Sequence, residues 1–125
     1  MKSEFKHYEN VTICTIQNDN GLIFYGEARC HTLDEDKYSE RTGEIIAEQR
    51  AIINSLRYCR ESIKEIIAQE QHLLNIMEQS KTFGHKDKNY RALKRQWYDH
   101  KEQLQYIKDE IASAQNSLKY YIGHK

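Results

Sequence analysis

The sequence predicts an α+β protein: an N-terminal antiparallel β-hairpin or small sheet packed on a long antiparallel helical hairpin, assembled as an oligomer. Three observations carry this. Two segments of strand character, Val11 to Gln17 (VTICTIQ) and Leu22 to Cys30 (LIFYGEARC), flank the turn sequence NDNG. From Ile45, and again from Tyr90, apolar residues recur in alternating steps of three and four. The chain has no proline and 5 glycines, which favours long uninterrupted helices.

The elements follow in order. The N-terminal MKSEFKHYEN has no apolar run, so it is not a signal peptide. Asn20-Gly21 is a strong hairpin signal because both residues tolerate positive φ, and it predicts a β-hairpin over residues 11–30. A hairpin alone is marginal in water, so helices, further strands or a second chain must cover it. Asp34 to Tyr38 reads as a turn. Ser39 reads as a helix N-cap, with Glu40 and Glu44 placing negative charge where the helix dipole favours it.

The first helical seam runs Ile45, Gln49, Ile52, Leu56, Cys59, Ile63, Ile66, Glu70, Leu73, Met77. The pattern breaks at SKTFGHKDKN, with Gly84 as pivot. It resumes through Tyr90, Leu93, Trp97, His100, Leu104, Ile107, Ile111, Ala114, Leu118 and Tyr121. This is the heptad pattern of helices in coiled-coil contact. At about 1.5 Å per residue, helices over 39–79 and 89–122 are roughly 60 Å and 50 Å long. The short connection makes them antiparallel neighbours. His100 falls on the seam and is expected to face the Arg57-to-Cys59 turns or a partner chain. Ile46, Ile53, Ile67, Leu74 and Ile76 widen the apolar stripe beyond what one partner helix can cover, which predicts a homo-oligomer. The 125 residues form a single domain by size, with a β part over 1–38 and the helical hairpin over 39–125.

Lys plus Arg and Asp plus Glu are both 19, so net charge is zero. Global charge gives no reason to expect nucleic acid or membrane as partner. The distribution is uneven: residues 1–49 hold five basic and ten acidic side chains, whereas 81–101 hold seven basic and two acidic. An anion site therefore belongs in the second region. The 3 cysteines lack paired spacing and read as reduced thiols of a cytosolic protein. Cys30-His31 has no second ligand pair, so no metal site is expected. No segment approaches the ~18 apolar residues of a membrane span.

No hydrolase, metalloprotease, P-loop or dinucleotide-binding motif is present, and the 6 histidines are scattered, so the protein is not expected to be an enzyme and no cofactor is implied. The segment KTFGHKDKNYRALKRQWY is more informative. It mixes Lys81, Lys86, Lys88, Arg91, Lys94 and Arg95 with Phe83, Tyr90, Trp97 and Tyr98. Arginine forks suit phosphate oxygens and aromatic faces stack on bases. Arg50, Arg57 and Arg60 add to this from the first helix. A small ligand carrying phosphates and adenine fits that mixture. So does a solvated basic face whose aromatics pack the helix interface. Two further possibilities are a nucleic-acid-binding module and a coiled-coil adaptor.

The order G-E-A-R-C, then D-x-D-x-x-S-E-x-x-G, then I-A-E-x-R-A, over residues 26–51, is similar to a strand–turn–helix pattern of many small phage proteins. With the helical hairpin behind it, the chain resembles the phage Thoeris anti-defence proteins of the first described type. That family binds the cyclic ADP-ribose isomer made by Thoeris TIR proteins and holds it without degrading it. Some members form dimers that assemble into hexamers, and hold cyclic oligonucleotides at separate sites. The resemblance implies action in the cytoplasm of an infected bacterial host, with ligand pockets between protomers. It implies Phe83 for adenine stacking, Arg57 for the pyrophosphate and Asn89 for a ribose or base hydrogen bond. Arg91, Arg95, Arg60, Arg29 and His31 extend the candidate set.

Overall fold

The computed structural model describes residues 2–29, 40–80 and 87–123. Three strands, β1 (Lys2–Tyr8), β2 (Val11–Gln17) and β3 (Ile23–Arg29), precede two helices, α1 (Glu40–Gln79) and α2 (Lys88–Gly123). The strands form one antiparallel sheet in the order β1-β2-β3, packed against the two helices. The fold is α+β, as the sequence predicts.

The sequence reading did not foresee β1. Its side chains are all exposed except the half-buried Phe5, so it lacks the apolar alternation of a strand. Pairing with β2, with Phe5 opposite Cys14, makes it a strand through main-chain bonds. Tyr8 pairs with Val11, so Glu9 and Asn10 alone make the turn, and Glu9 takes φ +45°. At β2–β3 the expected hairpin forms, but by a different turn. Gly21 alone has positive φ, at +85°. Asn18 N donates to Leu22 O at 2.9 Å, and Gly21 N to Asn18 O at 3.0 Å. The Asn18 Oδ1 accepts from the amides of Asn20 and Leu22. The turn is a three-residue loop with glycine in the left-handed position, a common hairpin form.

Contacts group the described residues into two compact units: Met1–Arg57 with Glu110–Lys125, and Tyr58–Asp109. In the first, alternate residues of the strands bury one sheet face on α1. Cys14, Ile16 and Ala28 pack with Ala47 and Ala51, flanked by Phe5, Phe24, Ile46 and Ile52. The helix comes unusually near β3. A Cβ on Gly26 would overlap the carbonyl oxygen of Ala47 and the amide nitrogen of Ala51. The Gly26…Ala47…Ala51 spacing within the 26–51 motif is thus a contact between a strand backbone and a helix backbone. His7 clips β1 down: its Nε2 lies 3.4 Å from Glu44 Oε2 and its Nδ1 3.2 Å from Thr12 Oγ1. The Cys14 thiol in this core is pushed up to about 11 by burial, then by the charge of Glu48.

In the second unit, Tyr90 Oη donates to Glu78 Oε1 at 2.6 Å, and His100 Nδ1 lies 2.9 Å from both oxygens of Glu70. Going back along α1 goes forward along α2, as an antiparallel pair requires. The second seam is correct, since each predicted position from Tyr90 to Tyr121 is buried or half-buried. The first holds at eight of its ten positions and shifts by one residue at Ile66 and Leu73. Leu74 is 1% exposed and Ile53 4%, while the predicted Leu73 is 48% exposed and Ile66 41%. Ile52-Ile53, Ile66-Ile67 and Leu73-Leu74 are adjacent apolar pairs, so two frames fit the periodicity equally. In the last two pairs the inner residues are Ile67 and Leu74, which share a face with Glu70, the residue that meets His100. His100 meets Glu70 and not the Arg57-to-Cys59 turns, because an antiparallel partner is set by distance from the hairpin turn. α2 begins at an Asp cap: Asp87 Oδ1 accepts from Asn89 N at 2.8 Å and Tyr90 N at 3.1 Å, satisfying amides that have no helical partner. The predicted Asp34–Tyr38 turn, the Ser39 cap and the Gly84 pivot lie outside the described residues.

Candidate functional site

In the first unit, β3, α1 and α2 enclose a groove of about 570 Å³. Tyr25, Gly26 and Glu27 form its strand wall, Arg50, Asn54 and Arg57 its first-helix wall, and Gln115 and Leu118 come from α2. The volume lies in the range of small-molecule sites, roughly 300–1,000 Å³.

Each polar side chain is set by local geometry. Arg50, Asn54 and Arg57 recur at steps of four and three, so one face of α1 presents them together. Arg50 Nη1 donates to the Glu27 carbonyl at 2.7 Å, and Asn54 Nδ2 to the Tyr25 carbonyl at 2.8 Å. Arg57 makes no hydrogen bond or ion pair among the described residues. It is exposed and lines the groove, so its fork is available to a carboxylate or phosphate. Tyr25 adds a phenol that is 59% exposed.

The other candidates divide. Arg29 pairs with Glu27 at 3.5 Å, both exposed. Arg60, in the second unit, is held by Glu61 at 3.1 Å. Asn89, Arg91 and Arg95 belong to the second unit and are exposed near the start of α2. Of the arginines named from the first helix, Arg50 and Arg57 line the groove; of the described residues that the resemblance implies, only Arg57 does. Phe83 and His31 lie outside the described residues.

The basic segment is partly consumed by internal contacts. Lys94 sits 3.7 Å from Glu78 and reaches the Tyr90 oxygen at 3.5 Å. Lys94 and Lys101 lie over the Trp97 ring at 5.5 Å and 4.3 Å. The hydrogen bond to Glu78 raises the Tyr90 phenol, and that to Tyr90 raises the Lys94 ammonium. Charge counting placed the anion site in this segment, yet the groove is lined from β3 and α1. Sequence reasoning missed Tyr25, Glu27 and Asn54. The available signal was the Arg50-Asn54-Arg57 face opposite an edge strand, which needs the β3–α1 contact to be seen.

Among the described residues no three His, Cys, Asp or Glu side chains are grouped to hold a metal ion. No described helix is long and apolar enough to cross a membrane. Fold and groove together define an α+β helical-hairpin protein with an arginine-bearing cleft beside a strand edge. The chain matches no protein-family model, no curated protein and no solved structure.

Proposed function

We propose that this protein binds and sequesters a cyclic ADP-ribose-type signalling nucleotide without degrading it, as the phage Thoeris anti-defence proteins it resembles do. The observation that carries the reading is Arg57, a guanidinium with no hydrogen bond or ion pair among the described residues, in a groove of nucleotide size. The resemblance over residues 26–51 supports it independently. Arg57 takes the pyrophosphate, and the resemblance, which puts ligand pockets between protomers, brings Phe83 to adenine and Asn89 to a ribose or base. Arg91 and Arg95 supply further positive charge. A sponge requires slow release, and a preorganised cleft lowers the ordering cost of binding.

The assembly is a homo-oligomer acting in the cytoplasm of an infected bacterial host. Exposed Tyr8, Ile23 and Tyr25 on one sheet face, and exposed Ile66, Leu73 and Ile76 on α1, support that part. Such surface is stabilised by a second copy.

Protein in excess is mixed with the nucleotide, filtered, heated, and the released material chromatographed. Intact nucleotide recovered from the heated fraction is expected. A new product peak would mean an enzyme, and nucleotide left in the filtrate would refute binding. Arg57→Ala should move the nucleotide to the filtrate while light scattering stays unchanged.

A further inference from the structure

The sheet register fixes which main-chain groups of β3 face its free side. Asn18 donates to Leu22, so these residues are a hydrogen-bonded pair. Such pairs alternate with non-bonded ones along an antiparallel ladder. With Phe24 opposite Ile16, Tyr25 opposite Thr15, Gly26 opposite Cys14 and Glu27 opposite Ile13, Phe24 and Gly26 bond to β2. The main-chain groups of Tyr25 and Glu27 then point outward. The helix confirms this, because Asn54 and Arg50 reach those two outward carbonyls. Among the described residues, β3 is the last strand of the sheet. Gly26 lines the groove with its neighbours and has no side chain, so main chain forms part of the wall.

A bare strand edge offers donors and acceptors in turn and invites another strand. This edge is different. Its carbonyls at Tyr25 and Glu27 already accept from Asn54 and Arg50, and what remains there, among the described residues, is N–H donors. At ~3.4 Å per residue those donors stand about 7 Å apart, too far for the oxygens of one phosphoryl group to meet both. Arg57 lies in the same groove. The Glu27 carboxylate is drawn toward Arg29.

We propose that this edge of β3 is an oxyanion site for a diphosphate group, held by the main-chain N–H groups of Tyr25 and Glu27 together with Arg57. Arg50 and Asn54 are positioning residues. They mask the carbonyls that would otherwise repel the anion. The inference deepens the nucleotide reading and rests on it for the natural ligand. The edge itself is defined by phosphate chemistry.

The test titrates inorganic pyrophosphate into the isotope-labelled full chain, with chloride at matched ionic strength as control, and follows amide resonances. Saturable shifts of the Tyr25 and Glu27 amide protons, absent with chloride, are expected. Asn54→Leu should weaken pyrophosphate binding roughly threefold to tenfold, the worth of one hydrogen bond, with the Cys14 and Ala28 amides unmoved as proof of an intact sheet. The wild-type shifts need no variant, so a poorly folding Asn54→Leu leaves the test decisive. Saturable binding that leaves both amides still, or no saturation at all, overturns the site. A cyclic nucleotide retained after filtration with both amides still keeps sequestration and removes this site. Amide shifts with pyrophosphate while the cyclic nucleotide stays in the filtrate support the site and remove sequestration.

Discussion

Gly26→Ala tests the contact on which the first unit is built. The added methyl meets the Ala47 carbonyl oxygen and the Ala51 amide nitrogen, with the Arg50 carbonyl carbon at 3.0 Å. These are helix backbone atoms, so no side-chain rotation relieves the overlap, and β3 and α1 must separate. Overpacking of this kind costs about 1–3 kcal/mol, and a clash with rigid backbone belongs at the upper end. Replacing a strand glycine returns roughly 0.5–1 kcal/mol of unfolded-state entropy. The net loss is therefore about 2 kcal/mol, or ~8 °C in Tm at about 4 °C per kcal/mol. Gly21→Ala is the matched control. Its φ of +85° strains any side chain, but the nearest atom to the new Cβ is Gln17 Nε2 at 3.9 Å, so it should cost only about 1 kcal/mol. Thermal melts of both variants by circular dichroism decide the matter. A Gly26→Ala protein that melts with the wild type, or above Gly21→Ala, refutes the close-contact reasoning. The same variant should also lose nucleotide in the filtration assay, because Gly26 forms part of the groove.

Three further outcomes follow from separate sites. Glu9→Gly removes left-handed strain from the β1–β2 turn and should raise stability by about 0.5–1 kcal/mol in urea titration. His100→Ala leaves Glu70, only 6% exposed, without its imidazole and should cost about 3 kcal/mol. Replacing both residues by leucine should recover most of that loss in the same urea titration, since apolar pairs often match buried polar ones. The buried Cys14 thiol, ordinarily near 9.0, is raised to about 11. The native state therefore holds its proton longer than the unfolded chain, and the contribution is complete below pH 9 and falls away between about 9 and 11. Wild-type stability should drop across that window more steeply than that of Cys14→Ala, as read by urea midpoints at each pH.

The α+β class, β2, β3 and both helices within a residue or so of their ends were legible in the sequence. So was the seam of α2, because heptad spacing, β-branched runs and the absence of proline act locally along the chain. The turn type was not, because NDNG supports more than one hairpin geometry and Asn18 chose among them. Three things required tertiary structure. β1 has one half-buried side chain and exists by pairing with β2, which no local pattern announces. The α1 seam was ambiguous at Ile66-Ile67 and Leu73-Leu74, and only packing in the fold turned Ile67 and Leu74 inward. The groove was hidden because Tyr25 and Glu27 are 23 or more residues from the Arg50 and Asn54 side chains that cap them. Arg57 could be named from a resemblance. That it stands beside the outward edge of a strand with masked carbonyls depends on Gly26 letting a helix backbone rest on that strand.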